Sequence, residues 1–452
     1  MRIALHAMTM NRDAPMMLIL SRLLERIGCE VMIMSVRNYG LVLRNWRPHA
    51  VFFGTLSKAH YIREQCPDAK LFYCAGEGGE SKEFMDENFF LENEDIFDEI
   101  VKIFVWGRKT VDFLAEKCRE RGLTGLEKKI LDATKVLVNS HPRFDLLRFM
   151  PALSQQKKTI GINTNFVRLN TFDGRSTLWH LMQNQVNFSW VSKELREAET
   201  SFEALDFITK ETPYNVSIRP YPLEDRHMYV RRSQNGYEEF PRKHFNGRVM
   251  IDDGLDYSTW ISSQRMVISK VSSSLSEAYF KGIPALFVEK LSGTYEFYRQ
   301  RSEIERLLVE TAYTPESLGE MKEALRNPEQ IPMKVENLEE LWRDYYGLAE
   351  PGSALLRIAR TIVDELKKGH HNRLPRMPKT AIKAYDSVVF WYLRRKDPCN
   401  VNFSFKEGYH KVPEHYEKIV DNIMADRPSI VWTGKGLPKA TATEPVVTEK
   451  QK

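Results

Sequence analysis

The chain has 452 residues, 42% of them hydrophobic and 28% charged, with a formal net charge of +5. That length exceeds one ordinary core, so two domains are the default for a globular protein of this composition. The small positive excess, without an interleaved basic and aromatic stripe, argues against nucleic acid as a partner and leaves anionic donors, phosphates or a membrane surface. The five cysteines are scattered with no CxxC spacing, which argues against a disulfide framework and a structural zinc site. No apolar run approaches the roughly 20 residues of a bilayer span. The opening MRIALHAMTMNRDAP lacks the apolar core of a signal peptide, so the expected location is cytoplasmic.

The first half alternates strands and helices. Arg2 to Ala7 reads as a strand, and Asp13 and Pro15 open an amphipathic helix from Met16 to Ile27 that stops at Gly28. Strands follow at Glu30 to Val36, Val51 to Gly54, Leu71 to Cys74, Lys102 to Trp106 and Lys135 to Asn139. Strands separated by helices at this spacing predict a doubly wound parallel sheet, whose ligands gather at the carboxyl ends of the strands. Glu77 lies at such an end, among Gly76, Gly78 and Gly79, where glycines allow close backbone approach. A carboxylate there is a candidate general base; the alternative is a glycine turn carrying a solvated Glu.

A polar linker at 148–157 precedes a restart of the same pattern. Lys158 to Ile162 is a strand running into Asn163-Thr164-Asn165-Phe166, a helical region spans about Leu178 to Lys210, and Tyr214 to Ile218 is the next strand. Arg219 follows it, either as a planar donor fork for a phosphate or as half of a structural ion pair. Arg248 to Ile251 is a further strand and Tyr257 to Ser263 a helix.

The stretch VISKVSSSLSEAYFKGIPALFVE, Val267 to Glu289, sets the character of this half. A β-branched strand ends in Ser272-Ser273-Ser274, a helix is predicted from about Leu275 to Lys281, and Pro284 opens another buried strand. Unpaired N–H groups and the positive end of the helix dipole suit a phosphate at this serine cluster. Glu277, one turn further, could reach a ribose hydroxyl, or could close a capping box on Ser274. Neither G-x-G-x-x-G after the first strand nor a P-loop is present, which disfavours a dinucleotide dehydrogenase and a P-loop NTPase.

The pattern Ser-Ser-x2-Glu-Ala-x3-Gly-x-Pro, Ser273 to Pro284, resembles the donor-binding signature of GT-B glycosyltransferases. The resemblance is closest to bacterial surface-carbohydrate biosynthesis proteins, and more distant to bacterial sialyltransferases and glycerophosphotransferases of wall polymers. Ala75-Gly76-Glu77-Gly78, Val105-Trp106-Gly107, His141-Pro142-Arg143-Phe144-Asp145 and Asn163-Thr164-Asn165-Phe166 look like further segments of that group, in the same order. Two departures stand out. Tyr221-Pro222 replaces a His-Pro pair of the sialyltransferase-like pattern, and the literal His141-Pro142 lies at the domain junction, where His141, Arg143 and Asp145 read as structural.

The resemblance implies an α/β fold of two doubly wound Rossmann-like domains facing across a cleft, with a helical C-terminal extension. The expected parts are an acceptor domain at 1–150, a nucleotide-sugar domain at 158–370, a helical, basic extension at 371–435 and a disordered tail at 436–452. It also implies a metal-independent glycosyltransferase without a cofactor, moving a sugar from a nucleotide-sugar donor to a glycan or lipid-linked glycan acceptor of surface polysaccharide. Asn165, Arg219, Ser272, Ser273, Ser274 and Glu277 would hold the donor, and Glu77 would be the base beside Gly76, Gly78 and Gly79. The alternatives are a nucleotide-sugar epimerase, a polyol-phosphate transferase, and a non-catalytic scaffold whose basic, aromatic Ala381 to Arg395 stretch makes a peripheral membrane contact. His370 and His371 have no third ligand nearby in sequence to suggest a metal.

Overall fold

The computed structural model describes residues 1–7, 10–35, 39–76, 91, 93–151, 158–166, 169, 181–182, 187–221, 230–233, 236–239, 247–252, 256–369, 377–382, 384 and 414–441. Glu77, Gly78, Gly79, His370, His371 and the stretch 385–395 lie outside them. The chain forms two compact units, one made of Met1–Ala152 with Glu339–Lys452, the other of Leu153–Leu338.

In the first unit six parallel strands, β1 (Arg2–Ala7), β2 (Glu30–Ser35), β3 (Ala50–Phe53), β4 (Lys70–Cys74), β5 (Ile100–Val105) and β6 (Val136–Val138), lie in the order β2-β1-β3-β4-β5-β6. Most of their Val, Ile and Phe side chains are buried, as befits a sheet covered on both faces. The first helix runs Met10–Arg26, starting before Pro15 rather than after it. The interior proline is accepted because this helix is clamped from outside: helices Ala354–Lys367 and Glu414–Met424 both pack on it. Arg22 and Arg26 pair with Glu417 and Asp421 across the second of these contacts.

The chain after Leu338 thus returns to the first unit, and residues 339–369, expected in the second domain, pack with the first. Asp145 shows how. Its Oδ2 accepts from Ser353 Oγ at 2.6 Å and Leu355 N at 2.7 Å, capping the start of the Ala354–Lys367 helix. Gly107 shows it again, because a Cβ there would overlap the backbone of Asp344 and Tyr345. The tail also departs from expectation. Strand β14 (Ile430–Val431) pairs with β15 (Lys439–Ala440), Trp432 packs edge-on against Trp342, and Gly436 N donates to Glu339. Order therefore extends to Thr441, since Trp432 and Ser429 bury surface that pure composition hides.

The second unit carries β7 (Thr159–Asn163), β8 (Asn215–Arg219), a separate hairpin of β9 (Val230–Ser233) and β10 (Gly236–Glu239), β11 (Val249–Ile251), β12 (Gln264–Ser269) and β13 (Ala285–Leu286). The parallel sheet has the order β11-β8-β7-β12-β13. A helix at Phe188–Glu211, capped by Asn187, covers it with Ala204, Leu205, Phe207 and Ile208. No helix among the described residues is long and apolar enough to cross a membrane.

Candidate functional site

The order of the second sheet places its topological switch between β7 and β12, since β8 departs on one side of β7 and β12 lies on the other. Ligands of open α/β sheets sit outside the carboxyl ends of the strands at such a point. The sequence puts Asn163 at the end of β7 and the serine cluster just past β12, so both arrive at this crevice. Asn163 Nδ2 donates to Ser274 Oγ at 3.0 Å and to Ser269 Oγ at 3.3 Å, joining the two strand ends.

The helix here is Ser273–Phe280, two residues longer at its start than predicted. Its N-cap is Ser272, not Ser274: Ser272 Oγ accepts from Ser274 N at 3.3 Å and from Ser274 Oγ at 2.9 Å. Only an extended residue can cap, and Ser272 has φ −159° and ψ 146°, while Ser274 is already helical. Glu277 is buried, 2% exposed, one turn into the helix.

Arg219 ends β8 beside this point. Its Nη1 pairs with Asp252 Oδ1 at 2.8 Å, and its guanidinium lies over the rings of Tyr257 and Trp260 at 5.4 Å and 5.8 Å. The ion-pair alternative raised by the sequence is therefore present, and it holds the guanidinium plane in a fixed direction. Arg219 O also accepts from Thr164 N at 3.1 Å, tying β8 to the Asn163–Phe166 segment.

Lys270 escaped the sequence reading because nothing in its local pattern distinguishes it from a solvated lysine. It is 7% exposed; its Nζ lies 2.5 Å from Glu197 Oε2 and donates to Asn165 O at 2.9 Å. Lys270 thereby fastens the Asn165 segment to the residue that leads into the serine cluster. Tyr298 OH donates to Glu197 Oε1 at 3.3 Å. Glu289 is fully buried next to this pair, and burial followed by the Glu197 charge pushes its pKa well above the ordinary value, with backbone N–H groups of Glu289 and Val271 opposing the shift.

Among the residues expected at the first sheet, Gly76 is described and Glu77, Gly78 and Gly79 are not. Trp106 Nε1 donates to Ala75 O at 3.0 Å, so the tryptophan of the Trp-Gly segment fixes the turn that carries Gly76. His141 stacks on Trp106 with ring centroids 3.8 Å apart, and burial holds its pKa well below the ordinary value. Among the described residues no cluster of three His, Cys, Asp or Glu side chains is placed to hold a metal.

No protein-family model matches the chain, and no curated protein matches it either. Solved structures do. The wall teichoic acid polymerase TagF aligns over 81% of this chain and 89% of its own, with TM-score 0.53 and 10% identity. A TagF variant soaked with CDPG aligns over the same shares with TM-score 0.51 and 8% identity. The S. aureus MnaA–UDP co-structure aligns over 83% of this chain and all of its own, with TM-score 0.47 and 12% identity. At such identities the TagF likeness speaks to architecture alone: with two parallel α/β sheets in two units, the chain has the two-domain GT-B fold.

Proposed function

We propose that the chain is a glycosyltransferase that takes a sugar from a nucleotide-activated donor and passes it to a glycan acceptor of a surface polymer. The observation that carries this reading is the convergence of Asn163, Ser272, Ser274 and Arg219 at the switch point of the second sheet. The start of the Ser273–Phe280 helix would receive the donor diphosphate through its backbone N–H groups, with Arg219 beside it. Asn165 is set by Lys270 on the same side, and Glu277 is the carboxylate proposed for the ribose. These donors are preorganised, so they would stabilise charge on the leaving phosphate without a metal. Glu77, beside Gly76, Gly78 and Gly79, is the proposed base for the acceptor hydroxyl. The reading places the enzyme in the cytoplasm, peripheral at the membrane where its acceptor is lipid-linked.

The first test is a thermal-shift panel of UDP, CDP, CMP and GDP and their sugar conjugates. A nucleotide at a hundred times its Kd should add about 2.7 kcal/mol of stability. No shift with any of them sinks the reading. Given a donor, Glu77→Gln should bind it normally and lose transfer by about a hundredfold or more, with Glu80→Gln as the near-normal control. Equal behaviour of the two variants would remove Glu77 from the mechanism.

A further inference from the structure

The helix Phe188–Glu211 buries one face and leaves an apolar line on the other. Val191, Ala198, Leu205 and Ile208 are buried, whereas Phe188 is 72% exposed, Leu195 58% and Phe202 39%. Those three stand seven residues apart, so they fall almost above one another and form one stripe over about four turns. Among the described residues no other helix exposes more than one large apolar side chain. Isolated exposed apolar residues are ordinary, but three in line on one helix mark a contact. The charges beside the stripe are sorted along the helix. Lys193 and Arg196 lie in its first half, and Glu199, Glu203 and Asp206 in its second, where Lys210 answers Asp206 at 2.9 Å.

We propose that this stripe pairs with the same stripe of a second copy of the chain, the two helices running antiparallel about a two-fold axis. Antiparallel pairing lays the exposed Arg196 of each copy between the second copy's exposed Glu199 and Glu203, and sets the two helix dipoles in opposition. Parallel pairing would instead put glutamate against glutamate. In the antiparallel register Leu195 rests on the second copy's Phe202, and Phe202 on the second copy's Leu195, which is the self-complementarity a two-fold contact demands. Phe188 then meets the turn carrying the second copy's Lys210, whose apolar stem covers it. Ser192, Glu199 and Asp206 stand at the alternate seam positions that a tight coiled coil fills with apolar residues, so the dimer is weak and reversible. A single helix pair also lies at the low end of interface sizes, below about 1,200 Å² in total. Glu199 and Glu203 beside the stripe repel an anionic membrane, which makes a lipid surface the wrong occupant. This contact is independent of the transferase reading.

The experiment is sedimentation velocity on the full chain from low to high micromolar concentration, where the sedimentation coefficient should rise toward that of a dimer. Leu195→Gln keeps a good helix former and removes an apolar contact made twice, so it should raise the dissociation constant about thirtyfold or more. Arg196→Glu should weaken the dimer about tenfold, and adding Glu203→Arg should restore most of the loss, since each reversal acts on both sides of the axis. Circular dichroism checks that each variant keeps its helices, and the wild-type concentration series decides the matter even where a variant folds poorly. A wild-type chain that stays monomeric throughout, a dimer indifferent to Leu195→Gln, or an Arg196→Glu defect that Glu203→Arg does not relieve overturns the proposal. So does binding of the monomer to anionic phospholipid vesicles that Leu195→Gln abolishes, which would assign the stripe to a membrane. A dimer that binds no nucleotide leaves this contact standing and removes the transferase reading.

Discussion

Lys270 faces two carboxylates that one ammonium cannot serve equally. It pairs with Glu197, and Glu289 is left buried beside the pair, its pKa raised by burial and then by the Glu197 charge. The sign follows from linkage. A carboxyl raised in the folded state contributes stability that is full below its unfolded value of 4.5 and is lost as pH rises through the folded pKa. Glu289→Gln copies the protonated form, so its stability relative to wild type should improve as pH rises above 4.5, as read by urea unfolding. Glu197→Gln should instead cost about 3–5 kcal/mol, because it leaves the Lys270 charge buried without its partner. Equal losses in the two variants would mean that Glu289 is ionised in the native protein. His6 titrates with the opposite sign. With its pKa lowered from 6.5 to about 4, its contribution is full above 6.5 and is lost as pH falls toward 4, with a slope of about 1.4 kcal/mol per pH unit. His6→Gln should remove that acid-side loss.

At the scale of elements, the Ala354–Lys367 helix is held by one residue of the first domain's last segment. Asp145 takes two hydrogen bonds at the helix start, from Ser353 Oγ and Leu355 N, and is 1% exposed. Asp145→Ala should lower stability by about 2–4 kcal/mol, a lost cap plus donors left unpaired. Nucleotide affinity should stay within twofold, since the serine cluster belongs to the other unit. A selective loss of affinity would refute the structural role of His141–Asp145. In the second unit the same logic makes Arg219→Ala costly twice. It gives up the ion pair with Asp252 and the cover of Tyr257 and Trp260, and should also weaken nucleotide binding about ten- to a hundredfold. Unchanged affinity in a titration of the folded variant would confine Arg219 to structure.

The whole molecule shows its economy in the C-terminal return. Glu414–Met424 packs on the first helix, and Ser429 Oγ donates to the carbonyls of Arg148 at 2.9 Å and Met150 at 2.5 Å. Trp432, 5% exposed, sits on Trp342 and donates to Gly436 O. Removing 442–452 should leave the melting temperature unchanged, whereas stopping before Ser429 should lower it by several degrees, because it strips a buried tryptophan from Trp342. Equal melting temperatures for the two truncations would show that the Trp432 segment does not dock.

The sequence by itself determined what repeats locally. Runs such as Val51–Gly54 and Met266–Ile268 read as buried parallel strands and are found as such, apart from a shift of one residue at each end of the first. It also led to reading His141 as structural, and the ring lies stacked on Trp106. What it could not fix were contacts between residues far apart in the chain. Ser272 rather than Ser274 caps the helix because the backbone turns one step earlier, a difference of dihedral angle that composition does not encode. Lys270 reads as a surface lysine until Glu197, 73 positions before it, arrives on a helix from elsewhere. His6 reads as one more strand residue until Tyr39, Asp13 and Lys58 come near it in the fold. Residues 339–369 read as a continuation of the second domain, and it takes contacts such as those of Asp145 and Gly107 to reveal that they pack on the first. Local pattern follows from the chain's own period and polarity, whereas pairing of distant charges and return of a segment to an earlier sheet are decided by which burial the folded whole makes available.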